Sequence, residues 1–329
     1  MTALAVVDVG GLTLDELRRI LDRNPFGPHR FLGGTNARSL TDLWFSTFAK
    51  QGSDTHFVRC ELEGRTVGAA VLRHLAWESN VLGPRVYGIP QLVVETGRTD
   101  TADILDLLVA RVRALAATLG ADTIHCKRLT DDVAGCQALE RHGFLIVDTQ
   151  LVYALWPGDE RVVRSEPATD MPCSLRLATV ADLDPLIAVA RASFKDHFGR
   201  FHSDSRLPPG SAQRVYEAWI RSSLAGYADY VALAEVDGRP AAYSVWRRPS
   251  ARESLLPTRV GHYSIGAVHP DFHRRGLFTA VTRFGSDLLR GAADCIEGPT
   301  HVNNYGVQRG YERLGWRIVD ATHTFHAWL

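Results

Sequence analysis

Hydrophobic positions in the second half of the chain alternate between a period of two and a period of three to four, which is typical of a mixed α/β domain. The pair Asp237-Gly238 favours a tight turn, so we predict a β-hairpin around it. The pattern predicts the order strand, helix, helix, hairpin, strand, helix, strand, helix, strand. The predicted ranges are 175–177, 182–194, 211–224, 230–236 with 241–246, 262–268, 277–289, 294–302, 304–314 and 316–328.

The first half repeats the later part of this order. A hairpin is predicted at 57–62 with 66–73, followed by a strand at 86–94, a helix at 103–119, a strand at 122–127, a helix at 133–142 and a strand at 144–155. Residues 1–50 are predicted to hold two short helices. Residues 139–148 match residues 311–320 at six of ten positions. Such an internal repeat indicates that one domain was duplicated.

The stretch between Trp156 and Ser174 has several prolines and no hydrophobic period, which is typical of a linker. We therefore predict a domain at 1–156, a linker at 157–173 and a domain at 174–329. A length of 329 residues is ordinary for two domains.

Composition and charge exclude several classes of protein. Lys plus Arg (37) equals Asp plus Glu (37), so the zero net charge gives no reason to expect a nucleic-acid or membrane binder. No apolar run approaches the length of a membrane span. The five scattered cysteines form no zinc or disulfide pattern. We expect a cytoplasmic protein without a metal, a nucleic-acid partner or a membrane partner.

The turn after the predicted strand ending at Val268 is the first candidate site. It contains Arg274, Arg275 and Gly276 immediately before a helix start. Backbone N–H groups and the positive end of a helix dipole suit a pyrophosphate. A solvated basic loop before an amphipathic helix is the alternative, and spacing alone favours it.

The last predicted helix is the second candidate. Asn304, Val307, Tyr311 and Leu314 fall on one of its faces. Tyr311 could be a core residue like its apolar neighbours, and Asn304 could serve only as the N-cap.

Together these features resemble the GNAT superfamily of acyl-CoA-dependent N-acyltransferases. The resemblance rests on a strand, a Val-x-Pro-x-x-basic turn with Gly276, a helix, a strand, and then Asn304 followed seven residues later by Tyr311 and by Gly315-Trp316. It implies an α/β fold of two tandem GNAT-like domains, each a mixed, mostly antiparallel sheet flanked by helices.

The same resemblance implies acetyl-CoA as co-substrate, its pyrophosphate on the turn and its pantetheine arm on the preceding strand. Tyr311 would be the general acid that protonates the leaving thiolate. Phe278 is bulky at a position where the family has a small residue, and His273 replaces the usual first residue of the turn. The residues assigned to the cofactor are Ile265, Gly266, Ala267, Val268, His273, Arg274, Arg275, Gly276, Leu277, Phe278, Thr279 and Asn304.

A second resemblance covers more of the chain. Four segments resemble TDP-fucosamine acetyltransferases and related amino-sugar N-acetyltransferases. They are Trp77-Glu78-Ser79 with Gly83, residues 139–149, the segment from Phe194 to Asp204, and the ending at 326–329. This implies acetylation of a primary amine of a small molecule, with a nucleotide-linked amino sugar as one candidate. Arg200 and His202 would lie on the acceptor side, where they could meet a diphosphate. A solvated polar loop is the alternative for them.

The repeat predicts different roles for the two halves. Tyr311 aligns with Leu139, which cannot donate a proton, and Asn304 aligns with Asp132. Residues 95–100 lack the basic glycine turn and contain two acids. We expect the second half to be catalytic and the first half to be a non-catalytic partner.

The sequence leaves several alternatives open. Glu297, His301 or water could take the amine proton. The protein could acetylate another amine, such as a small metabolite, an antibiotic or a peptide amine, as a tandem enzyme like mycothiol synthase does. It could also be a non-catalytic acyl-CoA-binding protein. The acyl chain and the oligomeric state, a homodimer included, are not determined.

Overall fold

The structure, a computed structural model, describes residues 4–9, 12–22, 24–34, 37–48, 54–159 and 169–329. It forms two compact units, Met1–Thr149 with Ala321–Leu329 and Gln150–Asp320. The predicted linker falls within the second unit, and its residues 160–168 lie outside the described residues. The C-terminal segment, which we expected in the second domain, belongs to the first unit. Strand pairing explains the difference, because residues 322–328 pair with residues 123–129.

The elements follow the chain in this order. The strands are β1 (Ala5–Val9), β2 (Thr55–Leu62), β3 (Arg65–His74), β4 (Val86–Val94), β5 (Thr123–Leu129), β6 (Leu145–Leu155), β7 (Ser174–Leu177), β8 (Tyr230–Val236), β9 (Arg239–Arg247), β10 (Val260–Val268), β11 (Cys295–His301) and β12 (Arg317–Trp328). The helices are α1 (Leu14–Leu21), α2 (Ala37–Phe48), α3 (Ala76–Leu82), α4 (Thr101–Thr118), α5 (Val133–Arg141), α6 (Leu183–Phe194), α7 (Arg200–Ser203), α8 (Ser211–Ser222), α9 (Leu277–Leu288) and α10 (Tyr305–Arg313).

Each unit has a mixed sheet with one parallel pair. In the first unit the order is β1-β2-β3-β4-β5-β12, with β4 and β5 parallel. In the second unit the order is β6-β11-β10-β9-β8-β7, with β10 and β11 parallel. The predicted α/β fold class, with mostly antiparallel sheets flanked by helices, is confirmed.

Most of the predicted helices and strands are present as helices and strands. Local chemistry explains the hairpin around Asp237-Gly238 most directly. Asp237 and Gly238 both have positive φ (51° and 72°), which is the turn that such a pair favours between strands. The sequence analysis missed β1 and α3. β1 is a short edge strand that pairs with β2 from Ala5↔Glu61 to Val9↔Phe57, and Asp8 interrupts its apolar run. Edge strands carry such charges, so the hydrophobic pattern there is weak.

The second unit has one core on each face of its sheet. One core contains Trp246, Tyr263, Tyr311 and Trp316 and packs under α9 and α10, whereas Ile265 belongs to the core under α6 and α8. Successive strand residues point to opposite faces, so Tyr263 and Ile265 should share one face. They do not, because the pairing of β10 with β9 shifts between them. Such a β-bulge redirects the side chains that follow it.

Candidate active site

β10 and β11 separate partway along their length. Parallel pairing joins residues 260–262 to residues 295–297, whereas β10 continues beside β9 as far as Val268. The His269 N–H donates to Ala241 O at 2.8 Å. Antiparallel pairs alternate, so Gly266 directs its backbone N–H and C=O groups, and Val268 its N–H, away from β9 and toward the gap. The Val268 C=O accepts from Ser193 Oγ at 2.9 Å. This edge can accept an extended ligand by strand-like pairing.

Glycines on both strands let aromatic side chains approach the backbone at this gap. A Cβ on Gly266 would lie 2.1 Å from Tyr263 Oη. A Cβ on Gly298 would lie 3.1 Å from Tyr311 Oη and 3.3 Å from Trp316 Cζ3. The aromatic side chains under α10 therefore approach the two backbones where the strands part.

The turn between β10 and α9 has the geometry of an anion site. Arg274 (φ 64°) and Gly276 (φ 79°) both adopt the left-handed conformation, and Gly276 begins α9 without a side-chain cap. His273 Nε2 lies 2.9 Å from Val268 O, which holds the turn against the end of β10. The first N–H groups of α9 have no intrahelical acceptor, so they can bind a phosphate beside the exposed Arg274 and Arg275.

Phe278 is bulky, but its ring lies away from this turn. Its ring contacts α10, because a Cβ on Gly310 would lie only 2.5 Å from it. Its centroid is 5.7 Å from that of Tyr311. The glycine in α10 accommodates the phenyl ring, so the start of α9 stays accessible.

Tyr311 is fully buried, and its hydroxyl makes no hydrogen bond of ordinary geometry among the described residues, although the Tyr263 hydroxyl is close enough to act on it. Its ring stacks on Trp316 at 4.7 Å and lies 5.1 Å from Tyr153. Burial raises the pKa of Tyr311 well above its ordinary value, and Tyr263 adds to the effect. The phenol is therefore a neutral hydrogen-bond donor beside Gly298. Tyr311 is also a core residue, as its apolar neighbours suggested. Asn304 is also the N-cap of α10, because its Oδ1 accepts the Val307 N–H at 3.5 Å.

A Glu–His–Glu cluster, formed by Glu253, His262 and Glu297, lies where the strands are still paired. His262 Nδ1 is 3.1 Å from Glu297 Oε1, and Nε2 is 2.8 Å from Glu253 Oε1. Burial alone lowers the pKa of His262, but the two carboxylates outweigh it and raise the pKa to about 9. The ring is thus an imidazolium at neutral pH. Sequence reasoning missed this cluster because its residues come from three separate segments with no shared motif.

We expect His262 to make folding stability depend on pH. Its pKa is about 9 in the folded state and about 6.5 in an unfolded chain. The stabilisation is therefore complete below about pH 6.5 and is lost as the pH rises through about 9. His262→Gln should lower the free energy of unfolding by up to about 3 kcal/mol at low pH. Urea unfolding of both proteins at the two ends of this range would test it, and an equal difference at both ends would contradict it.

Arg200 and His202 are not brought together with Tyr311, because they accompany the helices on the other face of the sheet. The Arg200 guanidinium lies 4.3 Å from the centroid of the Phe201 ring. His202 Nε2 donates to Phe194 O at 3.0 Å, and its ring stacks on Tyr216 at 5.9 Å. Burial lowers the pKa of His202. In the described part of the chain no group of three or more His, Cys, Asp or Glu side chains could hold a metal ion.

The corresponding gap in the first unit is filled by its own side chains. β4 and β5 pair at 86–89 with 123–126, and beyond that point Arg128 Nη1 donates to Leu92 O at 2.9 Å. The guanidinium also pairs with Asp132, whose other oxygen caps α5 through the Gly135 N–H at 3.1 Å. At the start of α4, Arg98 is paired with Asp100 at 2.8 and 2.7 Å. In the described part of this unit, the strand edge at the gap is therefore covered, and the arginine of the turn is already paired with an aspartate.

Among the described residues, no helix combines the length and the apolar character that crossing a membrane requires.

The sequence matches no family model and no curated protein. Its fold matches that of solved structures. One is a tandem GNAT protein from the clavulanic acid biosynthesis pathway, without AcCoA, with a TM-score of 0.61, 16% identity, and coverage of 99% of this chain and 98% of that chain. Another is a GCN5-related N-acetyltransferase from Sphaerobacter thermophilus, with a TM-score of 0.64, 14% identity, and coverage of 98% and 95%. A third is a GNAT-family acetyltransferase from Colwellia psychrerythraea, with a TM-score of 0.55, 10% identity, and coverage of 99% and 100%. At these identities the likeness establishes the fold, which is that of tandem GNAT proteins over nearly the whole chain.

Proposed function

We propose that this protein is an N-acyltransferase that moves an acetyl group from acetyl-CoA to a primary amine of a small molecule. One observation carries the proposal: β10 and β11 part beside the buried Tyr311 hydroxyl, which lies 3.1 Å from the position that a Cβ on Gly298 would take, and β10 leads into the start of α9, which has no side-chain cap. The residues that would hold the cofactor are those of the strand edge at 265–268, the turn at 273–279 and Asn304. Acetyl-CoA supplies the activated acyl group as a thioester.

Acyl transfer forms a C–N bond and breaks the C–S bond of the thioester. The amine must lose a proton, and the departing thiolate must gain one. We assign the second task to Tyr311, whose phenol is protonated at neutral pH. Burial also makes it a weaker acid than a free phenol, so a hydrogen bond to the developing phenolate has to support the transfer. Backbone N–H groups at the gap can stabilise negative charge on the carbonyl oxygen. Glu297, His301 and water are the proposed acceptors of the amine proton.

The two units would have different roles. The second unit carries the strand edge, the turn and the phenol that the reaction requires. In the first unit Leu139 occupies the position equivalent to Tyr311, and Arg128 with Asp132 occupies the gap. These observations support a catalytic second unit and a non-catalytic first unit.

The acceptor is a primary amine of a small molecule, and its class follows from the resemblance and from the residues on the acceptor side. The resemblance to TDP-fucosamine acetyltransferases suggests a nucleotide-linked amino sugar, with Arg200 and His202 on the acceptor side. Arg200 lies over the Phe201 ring and burial lowers the pKa of His202, and both observations favour an acceptor without phosphate. Another amine, such as a small metabolite, an antibiotic or a peptide amine, is the alternative. A non-catalytic acyl-CoA-binding protein would bind the cofactor without turnover.

A calorimetric titration with acetyl-CoA tests the proposal. We expect one site per chain, and Gly276→Val should raise Kd at least about tenfold, because a β-branched residue does not tolerate positive φ. Gly97 is the matched control, since it lies in the equivalent turn of the first unit with φ 82° against 79° for Gly276. Gly97→Val should leave binding unchanged. The proposal is wrong if acetyl-CoA does not bind, and the assignment to the second unit is wrong if Gly97→Val abolishes binding instead.

A further inference from the structure

A cluster of six rings packs under α6 and α8. The ring cluster consists of Phe194, His197, Phe198, His202, Tyr216 and His301. Phe194 stacks on Tyr216 with centroids 3.9 Å apart and forms its inner, more buried part. The outer part is Phe198, His197 and His301, with Phe198 4.8 Å from His197 and 4.7 Å from His301. Phe198 is 39% exposed, which is unusual for a phenylalanine inside a ring stack.

Two histidines of the ring cluster, His197 and His202, have lowered pKa values and are neutral at physiological pH. Burial lowers the pKa of His197 to about 4, and His202 and His301 reinforce the effect. The His202 Nδ1 atom is buried and has no partner among the described residues. Within the described residues the His197 side chain makes ring contacts but no hydrogen bond. His197 therefore presents its ring face and uncharged nitrogen atoms, and neither His197 nor His202 provides positive charge for a phosphate. His301 Nδ1 accepts the Asn303 N–H at 3.2 Å.

Two arginines near the ring cluster have contacts of their own, and the Asp196 carboxylate acts on His202. Arg200 lies over the Phe201 ring, and Arg206 is 3.9 Å from Asp204. The ring cluster thus offers apolar surface and hydrogen-bonding nitrogens on its open side.

The ring cluster adjoins the proposed reaction site through β11. His301 ends this strand, three residues after Gly298. At about 3.3 Å per residue the distance along the strand is about 10 Å. Alternation puts Glu297 and His301 on the same face. A small molecule with its amine at the gap would therefore reach the outer rings with the rest of its structure.

We infer that Phe198, His197 and His301 form the acceptor subsite and select primary amines carried on an uncharged ring over amines whose ring carries phosphate. The ring of the acceptor stacks on Phe198 and exchanges a hydrogen bond with His197. This inference rests on the proposed acetyl transfer, and it names the class of amine that the same site accepts.

Two matched pairs of amines test the selection. Tyramine is compared with tyramine O-phosphate, and glucosamine with glucosamine 6-phosphate, at saturating acetyl-CoA. We expect kcat/KM to be at least about tenfold higher for the uncharged member of a pair, because the phosphate loses hydration without gaining a cation. Equal or higher values for the phosphorylated members would overturn the inference, as would acetylation of none of these amines by a protein that binds acetyl-CoA.

Substitutions in the subsite should change the binding of the acceptor amine without changing acetyl transfer itself. Phe198→Ala should raise KM for the preferred amine about five- to tenfold through lost stacking, with kcat nearly unchanged. His197→Arg adds a cation and should reduce the preference against phosphate. Leu107→Ala in the first unit is the control, because Leu107 is also 39% exposed, and it should change neither constant. An unchanged KM in Phe198→Ala contradicts the subsite while leaving acetyl transfer intact, whereas failure of acetyl-CoA to bind the wild-type protein overturns both proposals.

Discussion

Replacing Tyr311 with phenylalanine should lower kcat by about two to four orders of magnitude, the usual contribution of a positioned proton donor. The affinity for acetyl-CoA should not change, because the residues proposed to hold the cofactor are elsewhere on β10, the turn and α9. The fold should be retained, since the Tyr311 hydroxyl makes no hydrogen bond of ordinary geometry among the described residues. Steady-state kinetics with a calorimetric titration of the variant would measure both quantities.

Tyr243 provides a matched control for this experiment. It is also buried, 1% exposed, and its hydroxyl also makes no hydrogen bond of ordinary geometry among the described residues. Removing either hydroxyl relieves a buried unpaired polar group, so neither variant should be less stable than wild type. Only Tyr311→Phe should lose turnover. If both variants retain wild-type kcat, Tyr311 is not the proton donor.

Arg128→Met should destabilise the first unit by about 3–5 kcal/mol, which is the typical effect of leaving a buried charge unpaired. The Arg128 side chain is 12% exposed and that of Asp132 is 4% exposed, so Asp132 would lose its cation without gaining water. Burial lowers the pKa of Arg128, because the guanidinium loses hydration in this environment. Urea unfolding at neutral pH would measure the loss.

The double variant Arg128→Met with Asp132→Asn separates the charge effect from the loss of packing. Asparagine keeps the oxygen that caps α5 through the Gly135 N–H but removes the negative charge. We expect it to regain most of the lost stability, because apolar or neutral replacements of a buried ion pair are well tolerated. A double variant as unstable as Arg128→Met would show that the ion pair does not dominate the effect. Acetyl-CoA stoichiometry should stay at one site per chain in both proteins.

Local sequence chemistry was sufficient for the elements around the candidate site. The turn at 269–276, the helix after it and the cap at Asn304 follow from a glycine, a proline and an asparagine whose effects act within a few residues. The duplication was visible because 139–148 and 311–320 are similar. Phe278 shows the limit of such reasoning, because its size is read from the sequence but its orientation depends on Gly310, which lies in another helix.

The sequence by itself determined the order of helices and strands, the repeat and the α/β class, because periodicity and turn residues report on near neighbours in the chain. Only the tertiary structure decided that His262 bridges Glu253 and Glu297, that Arg128 fills the gap in the first unit, and that the Tyr311 hydroxyl is buried without a hydrogen bond of ordinary geometry among the described residues. It also decided that the C-terminal strand segment belongs to the first unit. These features depend on contacts between residues far apart in sequence, where burial and strand pairing set the energy and no local pattern records it.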